Sequence, residues 1–74
     1  MGGVHQEELY FISHEFGSAE EVASAKEFLN HNQPVCTVVD WYGNELTITN
    51  FGSEDLAEHF YRSLINYVDN QPPL

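Results

Sequence analysis

Four His and one Cys are the side chains of this 74-residue chain best suited to catalysis or metal binding. Their spacing argues against both. His5, His14, His31 and His59 fall on what reads as a strand, its exit, a loop and a helix, and none stands two or four residues from another His. His31 and Cys36 are five apart across Pro34, which is not a zinc-ligand spacing. Surface histidines are the expectation. Cys36 is expected to begin a strand beside apolar neighbours, a packed or partly exposed thiol with no acid–base partner nearby.

Carboxylates are the other candidates. Adjacent acidic pairs occur at Glu7-Glu8, Glu20-Glu21 and Glu54-Asp55. Neighbouring residues on a helix diverge by about 100°, so the last two pairs do not converge on one substrate. The Asp-x-Asp alternation of a calcium loop is missing, and so is a Gly-rich phosphate loop. Asp40, beside Trp41, is expected to be solvated on the outer face of a hairpin. No catalytic residue, cofactor or metal site is expected, and an enzyme is the least expected class.

The elements that carry these residues are clear. Residues 4–12, "VHQEELYFI", read as a strand with Leu9 and Phe11 on one face and Tyr10 and Ile12 on the other. Two apolar faces suggest a central or interfacial strand. Gly17-Ser18 opens a helix, with Ser18 and Glu21 spaced as a capping box in which Glu21 returns to the cap's own N–H. Val22, Ala25 and Leu29 form its apolar stripe with Phe28 beside it; Glu20, Ser24 and Glu27 lie opposite. The helix should end near residues 30–32, before Pro34. Residues 35–50 read as a hairpin around Gly43-Asn44, a two-residue turn suited to a primed type. Pairing Tyr42 with Glu45 sets Trp41 against Leu46 and Val39 against Ile48 on one core face. Val38 with Thr49 and Asp40 with Thr47 fall on the other face. Ser53 caps a second helix, with Glu54 and Asp55 in its first turn. There Leu56, Phe60, Leu64 and Tyr67/Val68 recur at helical spacing, and Glu58 and Arg62 form an i,i+4 pair. The order β-α-β-β-α predicts an α+β fold, a three-stranded sheet with two helices packed on one face.

This is expected to be one domain spanning 1–74, with 1–3 and 70–74 frayed. At this size only about 60% of the unfolded surface is buried, so stability is marginal. One cysteine gives no internal disulfide, and ten aromatics make a homodimer one expected support. No apolar run approaches the ~20 residues of a membrane span. The opening MGGVHQEE has neither the basic nor the apolar part of a secretory signal, and Gln6 stands where myristoylation wants Ser or Thr. The expected location is the cytoplasm of the producing or infected cell.

The strongest feature is charge. Twelve Asp and Glu against two Lys and Arg give a formal net charge of -10. Solubility needs a magnitude of only roughly 2–8 in a small domain. The excess repels itself through the fold and lowers stability. The carboxylates are dispersed over every element rather than gathered in a tail, so the fold fixes their spacings. Glu20 and Glu27 are two turns apart, about 10 Å, and Glu54 and Glu58 one turn, about 6 Å. Such an array has spacings like those of nucleic-acid phosphates.

In size and composition the chain resembles small acidic inhibitors encoded by phages and mobile elements, which block restriction, CRISPR, gyrase or polymerase machinery. The resemblance is to a strategy and carries no motif. It implies an inhibitor that binds the basic nucleic-acid-binding surface of a protein target through Glu20, Glu21, Glu27, Glu54, Asp55 and Glu58, with no direct contact to nucleic acid or membrane. The alternative is an intracellular interaction module or homodimer with an apolar contact surface drawn from Tyr10, Phe11, Phe16 and Tyr61. A third reading, acidity as adaptation to salt, predicts stability that rises in molar salt.

Overall fold

The computed structural model describes residues 10–71. They form β1 (Tyr10–Glu15), α1 (Ala19–Asn32), β2 (Val38–Tyr42), β3 (Glu45–Phe51) and α2 (Glu54–Asp69). The strands make one antiparallel sheet in the order β1-β3-β2. This is the expected α+β fold. The central strand, however, is β3. β1 is an edge strand, paired with β3 alone, and among the described residues no layer covers its Phe11 face.

The hairpin pairs as the alternation predicts, with Tyr42 opposite Glu45, Trp41 opposite Leu46 and Val39 opposite Ile48. Gly43 has φ 63, whereas Asn44 is not left-handed. That is the pattern of a type II′ turn, whose twist suits a hairpin and whose first central position favours Gly. The β run begins at Val38 rather than Val35. Thr37 closes a turn instead, its N–H and hydroxyl both donating to the Pro34 carbonyl at 3.3 and 2.7 Å. Cys36 occupies the left-handed corner of that turn with φ 70 and is exposed, so it does not begin a strand.

β1 continues past the expected end at Ile12 to Glu15. Residues 4–9 of the expected strand lie outside the described residues. The extension is polar in sequence yet keeps its alternation. His14 points into the core side, half-buried, where its Nδ1 lies 2.9 Å from the Tyr61 hydroxyl and its ring meets Phe16 edge-on at 4.6 Å. An imidazole with an aromatic neighbour and a hydrogen-bond partner can take the place of an apolar residue. His14 is therefore not a surface histidine.

One irregularity sets the core. Tyr10 pairs with Phe51 and Ile12 with Ile48, so Thr49 and Asn50 together oppose Phe11. Asn50 adopts φ 71, and its side-chain amide donates to the Cys36 carbonyl at 2.7 Å. This bulge breaks the period of two, so that Ile48 and Phe51, three apart, both reach the core.

Both helices are capped as expected. The Ser18 and Ser53 hydroxyls accept from the backbone N–H groups of Glu21 and Leu56. The Glu21 carboxylate reaches one residue further back than the capping box predicts and accepts from the Gly17 N–H at 2.8 Å. α2 packs on β1 and β3, and α1 packs beside α2. Leu46, Ile48 and Leu64 are fully buried at their centre, joined by Phe16, Ala25, Leu29, Phe51 and Phe60. In α2 the buried stripe is Ala57, Phe60, Leu64 and Val68, while Leu56 is 59% exposed. Ala57 and Leu56 both continue the series Phe60, Leu64, Val68 at helical spacing; the small residue takes the crowded side and the large one faces out.

Candidate functional site

Apart from the bulge at Asn50, every strand alternates between a helix-covered face and a face on which no described element packs. The register arranges the open face in three rows. Glu15, Glu45 and Tyr42 form the row nearest the hairpin turn, and Ser13, Thr47 and Asp40 form the next. The last row holds Phe11, opposite the bulge, with Thr49 and Val38. Phe11, Val38 and Tyr42 are 62%, 55% and 86% exposed. At about 3.4 Å per residue, the Phe11–Val38 row and the Glu15–Glu45 row stand about 14 Å apart. The face is thus apolar at one end and acidic at the other.

The six helical carboxylates expected at the contact fall into two groups. Glu20 and Glu21 begin α1 next to the Glu15–Glu45 end of the sheet, and Glu54 and Asp55 begin α2 next to the Tyr10–Phe51 end. Five residue steps separate those ends, about 17 Å. Glu27 lies further along α1 and Glu58 on the second turn of α2. All are exposed except Glu21, which is half-buried over the cap. The topology does not gather the six into one cluster.

Cations are scarce, and both are engaged within the chain. The Lys26 Nζ sits 5.3 Å from the centroid of the Trp41 ring, and Arg62 pairs with Glu58 at 3.4 Å on the surface of α2. An exposed pair of this kind contributes only a few tenths of a kcal/mol. Both cations lie in the helical layer, so the open sheet face has none.

Of the four aromatics expected at an apolar contact, Phe11 alone is exposed. Phe16 is a core residue at 3% exposure, Tyr61 is half-buried against His14, and Tyr10 is half-buried against the core. The covered face needs aromatic bulk to fill the space between a narrow sheet and two helices, and these three supply it. Tyr42 and Val38 were legible as outward residues of the hairpin. Their exposure follows from the sheet's having one helical layer, which no local pattern reports.

A second surface feature is a half-open groove of about 460 Å³ between the end of α1, the 33–37 turn and the start of α2. Phe28, Pro34, Val35, Phe51, Leu56 and Phe60 line it, with His59 at its rim. Its size suits an apolar side chain or small molecule. Val35 and Leu56 open onto it for the two reasons given above: the early turn and the shifted α2 stripe.

No three His, Cys, Asp or Glu side chains among the described residues come together as a metal ion requires. No described helix is long and apolar enough to cross a membrane. No protein-family model, no curated protein and no solved structure matches this chain. Its function must therefore be argued from its own surfaces.

Proposed function

We propose that this protein is a non-enzymatic binder that occupies a basic, nucleic-acid-binding surface of another protein and so displaces the nucleic acid. The disposition of charge carries this reading. Ten carboxylates stand on the described elements, while the chain's two Lys and Arg are held against Trp41 and Glu58. The remaining negative potential is rigid and nearly unrelieved, and it steers a basic partner into contact. The two groups of carboxylates follow opposite ends of β1, about 17 Å apart along the strand, a length comparable with about five base pairs of duplex at 3.4 Å per step. Glu20, Glu27, Glu54, Asp55 and Glu58 take the place of phosphates in this reading.

The test is capture on the immobilised protein with elution by a salt gradient. A DNA- or RNA-binding protein should elute between about 0.2 and 0.5 M salt, and added duplex DNA should release it at low salt. Retention that resists both salt and duplex DNA would refute the reading, as would no retention at low salt.

A second reading, an interaction module with an apolar contact surface, is favoured by one observation: Phe11, Val38 and Tyr42 project from the uncovered side of the sheet. It predicts association that depends weakly on salt, measurable by sedimentation of the protein alone and with its partner.

A further inference from the structure

We propose that the open face of the sheet is the principal contact surface, and that it takes a single basic amphipathic helix of a partner protein. The inference rests on the reading of the protein as an acidic binder of basic surfaces, but it moves the main contact from the helical carboxylates to the open sheet face and names the partner's chemistry. Three strands about 4.8 Å apart and about 17 Å long give a footprint of roughly 250 Å². That is far below the ~800 Å² per partner of a standard interface between globular proteins. It matches the width of one helix, about 10 Å.

The chemistry of the face selects the occupant. Phe11 and Val38 offer an apolar seat at one end, and Glu15, Glu45 and Asp40 offer carboxylates towards the other. A helix lying along the strands meets both when its apolar residues and its Lys or Arg residues are about 14 Å apart on one side. At 1.5 Å per residue that is roughly nine residues, so apolar positions i and i+4, centred on i+2, go with a basic position i+11 over Glu15 and Glu45, and a second at i+7, about 7.5 Å along, falls over Asp40. A second copy of this chain fits poorly. Two such faces stacked about 10 Å apart would bring six carboxylates together, with Lys26 and Arg62 both in the helical layers behind them. Nucleic acid and anionic lipid are excluded by the same sign of charge.

The test uses a defined probe: a helical peptide with Leu at i and i+4, Arg at i+7 and i+11, and Ala or Gln elsewhere. One control peptide has Ser for both Leu, and another is oligo-arginine. Binding to the full chain is followed by amide NMR shifts and calorimetry at low salt. The shifts should centre on Phe11, Ser13, Val38, Asp40, Thr47 and Thr49. The Leu-to-Ser peptide should bind at least tenfold more weakly. Phe11→Ser with Val38→Ser, and separately Glu15→Gln with Glu45→Gln, should each weaken the probe at least tenfold, with far-UV dichroism and Tm showing that both variants fold.

The inference is overturned if the Leu-to-Ser peptide binds equally well. It is also overturned if the sheet-face variants bind normally while Glu20→Gln with Glu27→Gln weakens the probe; in that case the acidic-binder reading survives. If neither the probe nor oligo-arginine binds at low salt, both ideas fall.

Discussion

The two faces of the sheet alternate along the same three strands and have opposite chemistry. On the covered face, Leu46 and Ile48 are fully buried, flanked by His14 and Trp41 in one row and Ile12 and Val39 in the next. Residues one step away on the open face are Glu45, Thr47 and Thr49. An antiparallel sheet tolerates this because each strand needs only one buried side. The difference lies in what each face is selected for. The covered face supplies nearly all the apolar burial available to a small chain. The open face contributes little to stability, so its residues are free to be chosen for contact. Placing Glu15 directly opposite Glu45 is mildly unfavourable for folding, and such a choice makes sense where something other than folding sets the residues.

The sharpest test of that contrast is truncation on either side. Leu46→Ala should lower stability by about 2–5 kcal/mol, because a fully buried leucine leaves a cavity as well as losing its transfer free energy. Tyr42→Thr, four residues away in the hairpin on the open face, should change it by less than about 0.5 kcal/mol. Urea titration of both variants measures the two effects. Comparable losses would mean that the open face is covered in solution and that the contrast is false.

The bulge at Asn50 decides which residues belong to which face. Asn50→Ala should cost about 2 kcal/mol, from a left-handed backbone unsuited to alanine together with the lost bond to the Cys36 carbonyl. Asn50→Gly keeps the backbone and loses only the bond, so it should cost about 1 kcal/mol or less. Equal losses for the two, by thermal melting, would remove backbone conformation as the cause.

This bulge also marks the boundary of what can be read without a structure. The hairpin register, both serine caps and the element order were legible, because each is written in a local pattern: alternation of period two, or a cap residue before an apolar stripe. Three features were not. The bulge depends on a pairing between strands far apart in the chain. The Pro34–Thr37 turn puts a cysteine where glycine is usual, so its signature is masked. Leu56 and Ala57 both fit the α2 stripe, and only the space left by the sheet chooses between them. The candidate contact surface was half legible. The outward residues of β2 and β3 follow from the hairpin, but the exposure of Phe11 beside them, and the burial of Phe16, Tyr61 and His14, need the strand order.

The smallest expected effect bears most directly on why the open face is acidic. Glu45 stands between Glu15 and Tyr42 in the row nearest the turn. Glu45→Lys replaces a repulsion with an attraction and should raise stability by about 0.2–1 kcal/mol at low salt. The gain should fade as ionic strength rises, since the screening length falls from about 30 Å at 0.01 M to about 8 Å at 0.15 M. The same change should weaken the Leu–Arg helical probe, because it puts a cation beneath the arginines. A variant that is more stable yet binds less would show that the carboxylate at 45 serves contact at the expense of folding. If Glu45→Lys gains stability and binds the probe as well as before, the acidity of this face has no part in recognition, and the apolar end alone must account for any partner.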